Sequence, residues 1–237
     1  MAMRLRRRVL PFFVSLCAII AGGALLSRPA FGWDEYSRTS HQRTRLFSTG
    51  TLTINTRVGD LHIEGWDDPY VEVEAEKVVR AGSKQKADAL YDQVGVLLEG
   101  QDKQVVLRTT YPPRSLRRPF RGESQLTVNL RIKMPYDAAL SLKCVDGDVR
   151  IRGLVGRQQI VVNYGDVEID VPDVWNLRSL DARAFLGYVQ SDLHGGMNED
   201  AAGLRKRTSF FNSNGTQQIS VRVRMGGVFI YGGGDDY

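Results

Sequence analysis

The stretch Gly147-Asp148-Val149-Arg150-Ile151-Arg152-Gly153 decides the fold, because the same arrangement recurs along the chain. It matches residues 59–65 (GDLHIEG) and 165–171 (GDVEIDV), and weaker copies occupy 187–191 and 226–232. The copies at 147, 165 and 187 begin with glycines that are 18 and 22 residues apart. The last copy begins at Gly226, 39 residues after Gly187, which is close to two repeat lengths. A recurring unit of about 20 residues therefore organises the chain.

Apolar and polar residues alternate from Thr51 onward, as in Leu126, Val128, Leu130 and Ile132. Alternation with a period of two places one set of side chains in a core and the other in water, which predicts half-buried strands and an all-β fold. The exception is 83–94, where apolar residues recur at helical spacing behind Ser83, a good N-cap residue. We expect one short helix inserted near 83–94.

The five glycines that begin the copies are predicted to be structural turn residues: Gly59, Gly147, Gly165, Gly187 and Gly226. Glycine suits a corner that needs a positive φ. Their constant phase favours a β-solenoid, a right-handed parallel β-helix-like repeat in which each coil stacks on the last about 4.8 Å away. The alternative is an antiparallel β-sandwich of hairpins, because Asp146-Gly147 is also a good hairpin turn.

Four segments of the chain, 51–66, 71–75, 140–171 and 219–231, resemble the bacterial putative-adhesin β-strand-repeat family, an exported domain of unknown function. The resemblance covers about 44–232 and rests on repeat phase. It implies a β-repeat fold and an exported or envelope location, and it brings no functional residues with it. The helix at 83–94 and an Arg/Pro segment at 111–122 depart from the plainest family pattern.

The first 32 residues have the order of a secretory signal peptide: a basic start, an apolar run from Val9 to Leu26, and small residues at Ala30 and Gly32. We therefore expect an exported protein of the periplasm, the cell envelope or the extracellular space. A membrane contact is expected only if this segment is not cleaved. Residues 33–43 are predicted to be a polar leader, 44–232 the repeat domain, and 233–237 a flexible tail.

The net charge of +5 and the pI of about 9.3 come from this N-terminal segment. It holds five arginines and no acidic residue, so the remainder carries 27 basic and 27 acidic residues. A neutral body lacks the uniform positive surface that non-specific phosphate binding requires. Nucleic acid is therefore not an expected partner.

The sequence holds no recognisable catalytic motif, and we expect neither a cofactor nor a metal centre. His41, His62 and His194 are scattered, without zinc spacing. Cys144 alternates with Leu140 and Leu142, which predicts a buried, inert thiol.

The Gly-Asp corners are a possible calcium site. If Gly147 and Gly165 begin adjacent coils, Asp148 and Asp166 lie about 5 Å apart, and a cation would relieve their repulsion. The alternative is that each aspartate bonds the turn backbone and stays hydrated.

Arginines are concentrated among the prolines of residues 111–122, at Arg114, Arg117, Arg118 and Arg121. A second cluster follows at 205–207. Guanidinium groups pair with anions in two-point geometry, so these residues could bind anionic envelope polymer or lipid headgroups. Solvated loops are the alternative explanation.

The favoured interpretation is an exported, non-enzymatic β-repeat envelope protein acting as an adhesin-like or scaffolding surface. Its expected partner is an envelope protein or an anionic polymer. The first alternative is a polysaccharide-cleaving β-helix enzyme, for which the outward carboxylates Glu168 and Asp170 are candidates. The second is an envelope stress sensor or assembly partner.

Overall fold

The computed structural model describes residues 34–111, 126–193 and 197–233. The predicted signal peptide, Arg114, Arg117, Arg118 and Arg121, His194 and all but the first residue of the predicted tail lie outside these residues. Among the described residues, no helix has both the length and the apolar character that crossing a membrane requires.

The described residues form fifteen strands and one helix, which confirms the all-β class with one short inserted helix. The elements in chain order are β1 (Asp34–Val58), β2 (Leu61–Trp66), β3 (Tyr70–Ala81), α1 (Lys84–Tyr91), β4 (Gly95–Thr110), β5 (Leu126–Pro135), β6 (Ala139–Asp146), β7 (Val149–Arg152), β8 (Gln158–Tyr164), β9 (Val167–Val171), β10 (Leu177–Leu186), β11 (Val189–Ser191), β12 (Asn198–Ala202), β13 (Arg205–Phe211), β14 (Gln217–Met225) and β15 (Val228–Gly232).

The alternating residues form the core, as the sequence pattern predicts. In β7, Val149 and Ile151 are fully buried, whereas Arg150 and Arg152 between and after them are exposed. The same alternation runs through β6 and β14. The apolar sides of the strands meet in one core cluster. The charged and polar positions are therefore left on the outer faces, where a partner can reach them.

The strands form one mixed sheet path, in the order β11-β15-β9-β7-β2-β5-β3-β1-β6-β8-β14-β10-β13-β12, with β4 also paired to β1. The long strand β1 takes part in both halves of this path, because its first half pairs with β3 and its second half with β4 and β6. We call the half from β11 to the start of β1 sheet A, and the half from the end of β1 to β12 sheet B.

Each of the five glycines joins a strand of sheet B to a strand of sheet A. The five resulting units are β1/β2, β6/β7, β8/β9, β10/β11 and β14/β15. All pairings between neighbouring units are parallel in the described residues. Antiparallel pairs join β3 to β1 and β5, and β13 to β10 and β12.

The expectation that each unit stacks on the one before it is wrong for the last two. The unit β14/β15 lies between β8/β9 and β10/β11, although it comes last in the chain. The hairpin of β12 and β13 covers the outer edge of β10, and β14 pairs with β8 on one side and with β10 on the other. Repeat spacing carries no information on this order, because every unit offers its neighbours the same alternating apolar face.

Two features of the N-terminal part qualify the predicted domain layout. Residues 34–43, assigned to a polar leader, form the first half of β1 and pair with β3, so the boundary at residue 44 falls inside a strand. Their polar composition reflects a strand that is largely exposed.

The helix α1 begins directly after Ser83, whose hydroxyl accepts a hydrogen bond from the backbone N–H of Lys86 at 3.4 Å. The helix buries Ala87 and Tyr91.

Candidate functional site

The five turn glycines form a column along one edge of the stacked units. Their φ angles lie between +126° and +156°, which is favourable for glycine. In the spatial order Gly59, Gly147, Gly165, Gly226 and Gly187, each of the last four packs against the backbone of the glycine before it, and Gly59 packs against the backbone of Val128 in β5. The close contacts between their backbones therefore limit how closely neighbouring units approach.

Carboxylates beside this column form a ladder of hydrogen bonds between units. The backbone N–H of Asp148 donates to Oδ1 of Asp60 at 3.1 Å, and that of Asp166 donates to Oδ1 of Asp148 at 2.9 Å. The ladder continues to Gly227, whose N–H donates to Asp166 at 2.6 Å. Each aspartate thus accepts from the backbone of the next unit, whereas the alternative to a calcium site was a bond within its own turn.

This ladder gives each corner carboxylate a partner in the protein. Three backbone N–H dipoles point at the three acceptor oxygens, which offsets part of the repulsion between neighbouring carboxylates. Within the described ranges, no group of three or more His, Cys, Asp or Glu residues is arranged to hold a metal ion.

The outer face of sheet A carries charges of alternating sign across neighbouring strands. Paired positions bring together Arg43 and Glu72, then Glu72 and Lys133, then Lys133 and Glu64, and then Glu64 and Arg152. Opposite charges on directly opposed residues stabilise a sheet. This row is therefore neutralised by its own side chains.

Glu168 and Asp170, the candidate carboxylates of a polysaccharide-cleaving enzyme, belong to this face. Glu168 lies 3.2 Å from Nε of Arg150, and Asp170 lies 3.1 Å from Nε of Arg152. Both carboxylates are thus held by arginines of the neighbouring strand β7. These contacts are ion pairs between oppositely charged residues of neighbouring strands, as elsewhere on the outer face of sheet A.

The outer face of sheet B is different, because like charges lie directly opposite one another. Arg222 of β14 is paired in register with Arg183 of β10, and Arg183 is paired in register with Arg207 of β13. Like charges in opposed positions destabilise a sheet. This arrangement therefore costs stability that a counter-ion would restore.

These arginines line a cavity of about 500 Å³ on the outer face. Six cationic side chains line it, together with the acid Asp200 and the ring of Phe185. We call it the basic groove, with the cations Arg183, Arg205, Lys206, Arg207, Arg222 and Arg224. All six are exposed to solvent, so an anion can approach them directly.

One carboxylate, Asp181, partly neutralises the basic groove from its edge. Arg183 binds it through two hydrogen bonds of 2.6 and 3.0 Å, and Arg207 through one of 2.8 Å. Burial acts to raise the pKa of Asp181, but the hydrogen bonds and charges of both arginines lower it on balance. Asp181 is therefore a built-in counter-ion for two of the cations.

Within the part of the chain that the structure describes, the remaining cations of the groove have no acidic partner. Among the described residues, no carboxylate lies within 4.0 Å of the charged nitrogens of Lys206, Arg222 or Arg224. The guanidinium of Arg205 lies over the ring of Phe185, 5.4 Å from its centroid. The groove thus presents uncompensated positive charge beside an aromatic surface.

Only part of this site was predictable from the sequence. The cluster at 205–207 lies in the groove, whereas Arg114, Arg117, Arg118 and Arg121 fall outside the described residues. Arg183, Arg222 and Arg224 were missed, because they come from strands that are far apart in the sequence. The available signal was the outward position of Arg222 and Arg224, which alternate with the buried Val221 and Val223.

Cys144 is buried in β6 and takes no part in this groove. Its side chain is 3% exposed, and burial is the main cause that raises the pKa of its thiol to about 12. Nucleophilic reactivity needs the thiolate. The structure therefore gives Cys144 the packing role that alternation predicted.

Among solved structures, the chain is similar to a putative cell adhesion protein from Clostridium sporogenes, with 12% identity, a TM-score of 0.48, and coverage of 82% of this chain and 100% of that one. It is also similar to two proteins from Parabacteroides distasonis. One is a putative adhesin with 10% identity and a TM-score of 0.23, covering 82% of this chain and 97% of that one. The other is a putative lipid binding protein with 10% identity and a TM-score of 0.22, covering 84% and 95%.

Two of these three proteins carry the adhesion description that the sequence resemblance also carries. No protein-family model and no curated protein matches the chain. Identities of 10–12% are too low to transfer residue roles onto this chain.

Proposed function

We propose that this chain is an exported, non-enzymatic envelope protein that holds an anionic polymer of the cell envelope in its basic groove. The observation that carries the proposal is the register of Arg222, Arg183 and Arg207 on three adjacent strands. On the opposite face, the row from Arg43 to Arg152 alternates in sign from strand to strand, so the like-charged row of sheet B departs from that pattern. Departures of this kind are expected at functional sites.

A polymer suits this site better than a single small anion. The cations lie on β14, β10 and β13, which are neighbours in the sheet, so they form a band across the strands. Neighbouring strands are about 4.8 Å apart, and a band of this kind can meet several anionic groups of one chain. Binding through several such contacts depends strongly on salt concentration, because bound counter-ions are released.

Binding of model polyanions tests the proposal. Purified protein is titrated with polyphosphate and with polyglutamate, and with neutral dextran as the uncharged control. We expect binding to both polyanions that weakens as salt rises, and no binding to dextran. The double variant Arg222→Ser/Arg224→Ser should lose affinity roughly tenfold or more, because hydrogen bonds to charged groups are among the stronger polar contacts.

The matched control removes the same charge from the other face. Arg150→Ser/Arg152→Ser deletes two arginines of sheet A that are already paired with Glu168 and Asp170. It should bind polyanions as the wild type does. Equal losses in the two double variants would show a general charge effect and would overturn the groove as the binding site.

Export is tested separately by cell fractionation. The basic and apolar order of residues 1–32 supports export. A chain from which this segment is deleted should remain in the cytoplasm, whereas the full chain should not. Cytoplasmic recovery of the full chain would contradict this part of the proposal.

A further inference from the structure

Beside the basic groove, the same face of sheet B carries a row of polar side chains that are uncharged except for Asp181 at its end. Paired positions bring Ser141 of β6 opposite Gln159 of β8, Gln159 opposite Ser220 of β14, and Ser220 opposite Asp181 of β10. This row runs across the strands, parallel to the row that contains Arg222 and Arg183. We call it the polar row.

A second cavity, of about 300 Å³, opens over the polar row. It is lined by hydroxyl and amide side chains together with the charged residues Arg157, Asp181 and Arg222. Arg222 also lines the basic groove, so the two cavities are neighbours on one surface. Besides the buried Gln158, the uncharged polar residues that line it are Gln159, Ser179, Gln218 and Ser220.

The chemistry of the polar row matches a particular kind of polymer. Hydroxyl and amide side chains both donate and accept hydrogen bonds, whereas a polyphosphate or a polyglutamate side chain offers only acceptors. A sugar ring offers hydroxyls that do both. A polymer that carries sugar rings and anionic groups together can therefore use both rows at once.

We infer that the ligand of this surface is an acidic polysaccharide, with sugar hydroxyls on the polar row and anionic groups on the arginines. The inference rests on the proposed function and specifies its ligand. Both rows follow the stacking direction, so an extended polysaccharide would lie across the strands of sheet B.

The experiment compares two polymers that carry the same anionic group. Polygalacturonate and polyglutamate of equal length both carry one carboxylate per unit, and only the first carries sugar hydroxyls. We expect the wild-type protein to bind polygalacturonate about tenfold more tightly, since two or more additional hydrogen bonds are available to it.

Variants separate this inference from the proposed function. Gln159→Ala/Gln218→Ala removes two exposed amides of the second cavity. In this variant, the affinity for polygalacturonate should fall to the level of the affinity for polyglutamate, and the affinity for polyglutamate should stay unchanged. The matched control is Gln101→Ala/Gln104→Ala, two exposed glutamines of β4. Arg222→Ser/Arg224→Ser should weaken binding of both polymers.

Equal affinity of the wild type for the two polymers, or an equal loss for both in the glutamine variant, would overturn the polysaccharide inference. The anionic-polymer proposal would survive either result. Unchanged binding of both polymers by the arginine variant would overturn the proposed function itself.

Discussion

The carbonyl oxygen of Gly147 lies 2.3 Å from the position that a β-carbon on Gly165 would occupy. Gly165 also has a φ of +126°, which L-residues with a side chain rarely adopt. The two glycines belong to neighbouring units, so the contact between their backbones sets the spacing of the stack. A side chain at this point would separate the units or distort the corner.

We therefore predict that Gly165→Ala destabilises the protein by roughly 3 kcal/mol or more, because backbone strain and a backbone clash act together. The measurement is the free energy of unfolding in denaturant. Two control glycines separate the causes. Gly203 also has a positive φ, +60°, but a β-carbon there would have no neighbouring atom within 4 Å. A β-carbon on Gly82 would likewise meet no atom within 4 Å, and the φ of Gly82 lies outside the left-handed region.

The expected order of destabilisation is Gly165, then Gly203, then Gly82. Gly203→Ala should cost about 1 kcal/mol from the left-handed backbone alone. A Gly165 variant as stable as the Gly203 variant would show that the close approach of the units is not rigid.

Much of the fold could be predicted from the sequence, because the controlling forces are local and repeated. Alternation identifies the buried side of each strand, and Gly at constant phase identifies the corners. The order of stacking could not be predicted. Residues 217–232 insert between two earlier units, where β14 pairs with β8 on one side and with β10 on the other, and β13 pairs with the remaining edge of β10.

The aspartate ladder predicts a difference between two conservative variants of Asp148. Asp148→Ala removes the acceptor of the Asp166 N–H and should cost about 1 kcal/mol of unfolding free energy. Asp148→Asn keeps an acceptor oxygen in the same place and should cost less than half as much. Thermal unfolding of both variants gives the comparison.

The same melts test the calcium hypothesis. If backbone N–H groups satisfy the aspartates, millimolar calcium should leave the unfolding midpoint of the wild type unchanged. A rise in midpoint that Asp148→Asn abolishes would instead support a cation at the ladder.

The alternating charges of sheet A predict that reversing one charge lowers stability and that reversing its paired charge as well restores it. Arg150→Glu places a carboxylate opposite Glu168, and like charges in opposed positions should destabilise the protein by about 0.5–1 kcal/mol. The swapped double variant Arg150→Glu/Glu168→Arg restores opposite charges and should recover most of that loss. A double-mutant cycle in denaturant measures the coupling, and additive losses would contradict a specific pair.

The candidate site was less predictable than the fold. Arg183, Arg207 and Arg222 are separated by more than ten residues from one another, and only the pairing of β10 with both β13 and β14 brings them together. The sequence shows each of them as an ordinary outward residue of an alternating strand. Binding sites built across strands depend on register, which a single sequence does not display.

The buried thiol of Cys144 predicts a pH dependence of stability. Its pKa is about 12 in the folded protein, above the ordinary value near 9, so the unfolded chain loses this proton first as pH rises. Stability from this group is present below about pH 9 and is lost between about pH 9 and 12, by at most about 1.4 kcal/mol per pH unit. Because other groups titrate there, the difference between wild type and Cys144→Ala isolates the thiol.

Thiol labelling gives an independent check of the same burial. The native protein at pH 8 should react with a thiol reagent only as fast as it unfolds, because the thiolate is scarce and the sulfur is covered. Labelling that is fast compared with unfolding would contradict this description of Cys144.

We predict that replacing Asp181 lowers the stability of the protein but raises its affinity for anionic ligands. It is held by Arg183 and Arg207, and it competes with any anion for their hydrogen bonds. Asp181→Asn removes the competing charge, so affinity for a polyanion should rise several-fold. The same change leaves the two arginines facing each other without a counter-ion and should lower the free energy of unfolding by about 1 kcal/mol.

The pH dependence of the pair has a definite sign. Because the pKa of Asp181 is lowered in the folded protein, its contribution to stability is present above the ordinary carboxyl pKa and is lost as pH falls below about 4. The stability difference between Asp181→Asn and wild type should therefore be full at pH 6 and should narrow as pH falls below about 4. An affinity for polyanions that falls in this variant would show that Asp181 positions the arginines for binding, and would contradict its role as a competing counter-ion.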